Sequence, residues 1–197
     1  MLASASPRRA ELLRAAGIAF DVQPADIDET VHDGESPEAY VRRMAEEKAR
    51  AVQQLRPGCI VLAADTTVVV GSLILGKPAD AADARRMLGL LSGRTHEVIT
   101  GVTVAAGGRL ETRVGRTSVE FAAMQPDEIE WYVESGEPMD KAGAYAIQGG
   151  ASRFITRIDG SYSNVVGLPV AIVWQLLKQL TSKSRSTAGN FSPSSGV

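Results

Sequence analysis

Cys59-Ile60-Val61-Leu62-Ala63-Ala64 is an unbroken apolar run of the kind that forms a strand buried on both faces, and it stops at Asp65-Thr66. Thr66 to Val70, Gly71-Ser72 and Leu73-Ile74-Leu75 then read as strand, tight turn and strand. Open α/β sheets gather ligands at the carboxyl ends of their strands, where loops converge. An acid beside a hydroxyl at such an end suits metal ligation or general-base work. An Asp that merely caps a turn would leave the same trace.

Upstream of this run, Ser6 followed by Pro7 predicts a helix start, with Gly17 as its stop. Leu2-Ala3-Ser4 reads as the end of a strand and Phe20-Asp21-Val22 as a short one. Ser36-Pro37 repeats the cap-and-proline start, and Tyr40, Val41, Met44, Lys48, Val52 and Leu55 recur at helical spacing. Lys48 is out of place on that apolar stripe.

Downstream, Asp80 predicts the cap of a helix through Leu91. Glu97 to Ala122 predicts two or three longer antiparallel strands around Gly107-Gly108. Pro126 to Glu134 and Pro169 to Leu180 read as helices, and Phe154 to Ile158 as a strand. Trp131 and Trp174 are expected in the core, and His96 is expected to be a structural hydrogen-bonding residue. The class is mixed α/β.

The chain has 197 residues, 44% of them hydrophobic, with 21 Lys+Arg against 23 Asp+Glu. That length suits one compact unit, or two small lobes around one cleft. The near-neutral balance argues against a general nucleic-acid binder. The single Cys59 cannot close an internal disulfide, and no Cys/His cluster suggests zinc. The apolar runs are too short for a bilayer, and MLASASPRR lacks the apolar stretch of a secretory signal. A cytoplasmic protein without membrane contact is expected. Residues 182–197 are Ser-rich with Gly and Pro, so the domain is expected over 1–181 and a disordered tail beyond it.

Three further stretches break local rules. Ser4-Ala5-Ser6-Pro7-Arg8-Arg9 sets hydroxyls and guanidiniums at a helix N-terminus, where free N–H groups favour anions. A phosphate cradle and a cap with exposed arginines both fit it. Gly76-Lys77-Pro78 holds a lysine just after the hairpin; it lacks the Walker A spacing and is also an ordinary turn composition. Asp140-Lys141-Ala142-Gly143-Ala144-Tyr145-Ala146-Ile147-Gln148-Gly149-Gly150 has neither period and is the densest in polar chemistry. Together these stretches give cations Arg8, Arg9, Lys48, Lys77 and Lys141 and acids Asp28, Glu29, Asp65 and Asp140. Such a set points to a small polyanion together with a divalent metal.

The segments ASASPRRAELL, AADTTVVV, ILGKPAD, LSGRTHEVITGV, DKAGAYAIQG and IDGSYSNVVGLP, in that order, resemble the Maf family of nucleoside triphosphate pyrophosphatases. The resemblance runs from residue 2 to about 180. It implies an α/β fold similar to that of inosine triphosphate pyrophosphatases: a mixed elongated sheet flanked by helices, with two lobes around a cleft. It implies a cytoplasmic, homodimeric enzyme that uses Mg²⁺ or Mn²⁺ and cleaves the α–β phosphoanhydride of a nucleoside triphosphate. Asp65 falls at the position of the proton acceptor, with Asp65 and Glu29 as expected metal ligands. Ser6, Arg8, Arg9, Lys48, Thr66, Lys77, Lys141 and Gln148 are the expected substrate contacts, and Arg8, Thr66 and Gln148 lie at positions tied to substrate choice.

The loop DKAGAYAIQG resembles the branch acting on dTTP and UTP. The same chemistry on a purine or 7-methyl-GTP, or a non-hydrolysing nucleotide-binding regulator of septum formation, are the competing expectations. A Gln amide can meet the acceptor–donor–acceptor edge of thymine or uracil, whereas cytosine sets its amine against the amide's donor. Two departures from the pattern stand out: Met1-Leu2 leave little of the strand preceding SASPRR, and Ala146 stands where Gly is expected.

Overall fold

The computed structural model describes residues 1–188. In chain order it contains α1 (Pro7–Ala15), α2 (Pro37–Leu55), β1 (Val61–Val70), β2 (Leu73–Leu75), α3 (Ala81–Leu91), β3 (Thr95–Ala106), β4 (Arg109–Phe121) and α4 (Pro126–Glu134). Three short 3-10 turns follow (Glu137–Asp140, Ala142–Ala144, Gly150–Phe154), then β5 (Ile155–Asp159), α5 (Tyr162–Val166) and α6 (Val170–Ala188). Helix α6 thus runs past residue 181, and the rest of the expected tail, 189–197, lies outside the described residues. Among the described residues no helix is long and apolar enough to cross a membrane.

The five strands form one sheet in the order β2-β1-β3-β4-β5, antiparallel at every junction. Parallel pairing enters at its edge, where Leu2 bridges both Val22 and Leu62. The expected sheet flanked by helices is present but antiparallel in all its strands, and its only parallel element among the described residues is this pair of isolated bridges at Leu2. Gly107 and Gly108, both at positive φ, make the two-residue turn that fixes the long β3–β4 register.

The decisive run differs from expectation in one respect. Strand β1 does not end at Asp65 but continues through the β-branched Thr66-Thr67-Val68-Val69-Val70, so Asp65 is a mid-strand residue. Its access comes instead from an incomplete edge. One side of β1 pairs with β3 from Val61 to Val69. The other side is met by residues 1–3 around Leu62 and by β2 at Val68–Val70. Around Asp65–Thr67 that second edge carries no strand among the described residues, and the interruption is where the cleft opens.

Alternation along β1 sorts the core. Leu62 and Ala64 point into a cluster with Leu13 of α1 and Val173 and Leu176 of α6. Val68 and Val70, on the same face, point into another with Leu88 of α3, Phe121 and Tyr132. Thr66 falls between the two clusters, so the sheet carries two lobes on this face. On the opposite face Ala63, Val61 and Val69 meet α2, whose buried stripe is Val41, Met44, Ala45, Lys48, Ala49 and Val52. Each large apolar side chain buried this way contributes about 1.5–3 kcal/mol.

Two core expectations fail. Trp131 and Trp174 are 43% and 55% exposed. Helical spacing put each near an apolar stripe, but each stands at its margin, stacked with Arg153 and Lys178 respectively. His96 is buried and hydrogen-bonds the Tyr145 hydroxyl through Nε2 at 2.8 Å, the structural role its sequence suggested.

Candidate active site

A cleft of about 770 Å³ opens at the interrupted edge of β1. Of the residues singled out from sequence, Ser6, Arg8, Arg9, Glu29, Lys48, Asp65, Thr66, Lys77, Asp140, Lys141 and Gln148 line it. Asp28 is not among them; its carboxylate turns back to accept from the Thr30 backbone and hydroxyl.

The floor is an ionic cluster. Lys48 reaches from α2 to place Nζ 2.6 Å from Asp65 Oδ1 and 2.6 Å from Glu29 Oε1. Lys48 and Asp65 are buried, while Glu29 is half exposed. A lysine on an apolar stripe is thus explained by a carboxylate partner on the strand beneath it. Burial pushes the Glu29 carboxyl upward, but the hydrogen bond and charge of Lys48, with Lys77 and Arg9 behind them, outweigh it and leave it below the ordinary range. The loop bearing Glu29 is tied to α2 by Tyr40, whose hydroxyl donates to the Glu29 carbonyl, and by Arg43, which donates to the Thr30 carbonyl.

Arg9 locks the junction of the lobes. Its Nε donates to the Gly167 carbonyl at 2.9 Å, Nη1 to Ser4 Oγ at 3.1 Å and Nη2 to Thr66 Oγ1 at 3.1 Å. One guanidinium fork so fixes α1, β1 and the end of α5 together. Burial lowers its pKa and Asp65 opposes that shift; a guanidinium stays charged regardless. Ser6 occupies the N-cap position of α1, yet its hydroxyl makes no capping hydrogen bond. The expected cap is therefore positional only, and Ser6 lines the cleft beside the open N–H groups of the first turn.

Across the opening, Asp140 bridges the walls. It pairs with Arg8 of α1 at 3.4 Å and with its neighbour Lys141. The Lys141 hydrogen bond, opposed by desolvation and helped by Arg8, holds the Asp140 carboxyl below its usual range. The turns carrying Lys77 and Lys141 are joined by a 2.9 Å hydrogen bond from Gly143 N to the Gly76 carbonyl. Gln148 stands exposed at the cleft wall. Ala146 does not have positive φ; Ala144, at φ 58, does, so alanine at 146 carries no backbone strain.

Some cleft residues went unnoticed in the sequence. Thr67 lies two residues beyond Asp65 on the same face, its hydroxyl buried without a partner among the described residues. Strand alternation from Asp65 would have found it. Tyr40, two helical turns before Lys48, belongs to the stripe read from the sequence and also lines the cleft, a place the stripe alone did not assign. The Gly167 carbonyl could not have been found, because a backbone acceptor leaves no mark in residue type.

The sequence pattern of Maf-like proteins matches residues 1–180. The chain is similar to a dTTP/UTP pyrophosphatase of Myxococcus xanthus (strain DK1622), 56% identical over 91% of each chain. It is 57% identical to a dTTP/UTP pyrophosphatase of Anaeromyxobacter dehalogenans (strain 2CP-C), over 91% of this chain and 92% of that protein. A protein of the same name from Symbiobacterium thermophilum (strain DSM 24528 / JCM 14929 / IAM 14863 / T) is 53% identical over 91% of this chain and 92% of its own. With that match spanning nearly its whole length, the chain belongs to the Maf-like protein family.

Proposed function

We propose that this chain hydrolyses dTTP and UTP at the α–β phosphoanhydride, releasing the nucleoside monophosphate and pyrophosphate. The observation that carries the reading is the convergence of one buried carboxylate, Asp65, with Arg8, Arg9, Lys48, Lys77 and Lys141 around a single cleft. Relatives covering nine-tenths of the chain that are named for this activity support it.

In this reading the cations neutralise the triphosphate and Asp65 takes a proton from water. The Lys48 contact engages Oδ1 and does not use Oδ2. That water attacks the α-phosphorus, the bond from α-phosphorus to the bridging oxygen breaks, and pyrophosphate leaves with that oxygen. Lys48 fixes the carboxylate's direction, and proton removal by a positioned base contributes typically 10²–10⁴-fold.

The acidic residues suit a divalent ion. Asp65 and Glu29 each direct one oxygen onto the same cationic nitrogen, and no cluster of three His, Cys, Asp or Glu exists among the described residues. A Mg²⁺ or Mn²⁺ site made of one or two carboxylates completed by phosphate oxygens and water fits that pairing. Asp65 and Glu29 would hold the ion, and the chemistry it supplies is charge neutralisation at the phosphates.

Held in one orientation, the Gln148 amide donates to O4 and accepts from N3–H of thymine or uracil, whereas cytosine, with N4–H and N3 reversed in role, would need the amide turned over. The protein acts as a cytoplasmic homodimer, and light scattering on the purified chain tests the dimer. A panel of dTTP, UTP, dCTP, ITP and 7-methyl-GTP with pyrophosphate detection tests the activity. The expected order sets dTTP and UTP well above the rest; a purine ranking first would overturn the base assignment.

A further inference from the structure

The segment that carries Gln148 into the cleft is held from behind by a closed set of hydrogen bonds. Tyr132, the last turn of α4, is fully buried, and its hydroxyl donates to Glu137 Oε1 at 2.6 Å. The same hydroxyl accepts from the Ala146 backbone N–H at 3.0 Å. The other carboxylate oxygen, Glu137 Oε2, accepts from the Gly150 backbone N–H at 3.0 Å. Gln148 thus sits midway between two anchored amides, two residues from each.

The fit leaves no slack. A Cβ built at Gly149 would lie 2.1 Å from Glu137 Oε1, so the absence of a side chain there makes room for the carboxylate. The backbone of Gly149 does not itself require glycine, since its φ is -113. Burial, followed by the Glu137 hydrogen bond, pushes the Tyr132 hydroxyl's pKa upward, so it remains a proton donor at any working pH. Chains of hydrogen bonds of this kind strengthen one another in a low-dielectric setting.

We infer that Glu137 and Tyr132 are positioning residues for base selection: they hold the 146–150 segment so that the Gln148 amide meets the pyrimidine edge at a fixed distance and angle. The inference rests on the assignment of Gln148 as the base-reading residue. Neither side chain touches the phosphate-binding cations; Glu137 meets Lys141 only through its backbone carbonyl, at 3.3 Å, a contact that side-chain substitution keeps, so their loss should disturb which base is accepted more than whether the anhydride is cleaved. A displacement of about 1 Å in such a contact can cost on the order of 10²-fold.

The test compares kcat/KM for dTTP with kcat/KM for dCTP in the full chain, in Glu137→Gln, Tyr132→Phe, Gln148→Ala and the double variant Glu137→Gln/Gln148→Ala. Glu137→Gln keeps an acceptor for Tyr132 but turns a donor toward the Gly150 N–H, and Tyr132→Phe frees the Ala146 end with its ring still in place. Both are expected to lower the dTTP/dCTP ratio roughly 10- to 100-fold, through KM for dTTP, with kcat on dCTP near the parent value. The double variant is expected to lose no more than Gln148→Ala alone, because all act through one contact. If Gln148→Ala collapses the ratio while Glu137→Gln and Tyr132→Phe keep it, the positioning role is overturned and the base assignment stands. Equal loss of kcat on both nucleotides, with the ratio intact, also overturns it, since that is the signature of a merely structural contact. An unchanged ratio in Gln148→Ala removes the base assignment and the inference with it.

Discussion

Gly101 stands directly across the β1–β3 ladder from Asp65, and the side chain it lacks is what lets α2 lie close against the sheet. A Cβ at Gly101 would sit 2.2 Å from the Val41 carbonyl oxygen and 2.6 Å from its carbon. Lys48 lies two turns further along the same helical face and spans the remaining distance to Asp65. The acid at the floor of the cleft and the glycine opposite it are therefore parts of one arrangement.

Gly101→Ala should consequently lower both stability and turnover. The obstacle is backbone rather than a mobile side-chain tip, so α2 has to move, at a cost of about 1–3 kcal/mol. Urea denaturation with parallel pyrophosphate release from dTTP checks this. An unchanged midpoint and unchanged turnover would mean that the close approach of α2 is not needed.

His96 gives a pH dependence of stability with a definite sign. Burial pushes its imidazole down to about 4, against roughly 6.5 when unfolded. Between those values the unfolded chain holds a proton that the folded chain excludes, so stability rises with pH and is lost as pH falls from 6.5 toward 4. The contribution is on the order of 3 kcal/mol at full extent. His96→Gln, which can keep a hydrogen bond to Tyr145, is expected to flatten the stability slope across this window. A slope identical to the parent's would show that His96 does not titrate differently on folding.

Glu29 should govern metal use more than folding, being half exposed. Chelation is expected to abolish dTTP hydrolysis, and Mg²⁺ or Mn²⁺ to restore it. In Glu29→Gln the metal concentration giving half-maximal activity should rise by at least about tenfold, the scale of losses at metal sites. A metal titration of pyrophosphate release measures this, and an unshifted midpoint would remove Glu29 from the ligand set.

Much of this architecture was legible in the residues. Ser36 and Asp80, each accepting a hydrogen bond from the backbone N–H three residues on, announced α2 and α3. Lys48 on an apolar stripe signalled a buried partner, and Asp65 supplied it. The position of Asp65 within its strand was not legible, because threonine serves as readily in mid-strand as beyond a strand end. What exposes Asp65 is a missing neighbour on one edge, a property of strand pairing rather than of the run itself. Tyr132 and Glu137 were hidden for a related reason. Their targets are the backbone amides of Ala146 and Gly150, which any residue but proline would offer.

The central claim is that Asp65 activates the water that cleaves the anhydride, and the most direct measurement is pyrophosphate release from dTTP by Asp65→Asn at saturating metal and substrate. The amide preserves size and a hydrogen-bonding oxygen but cannot take the proton. Turnover is expected to fall roughly 10²- to 10⁴-fold, with dTTP still bound. Turnover equal to that of the parent chain would contradict the account.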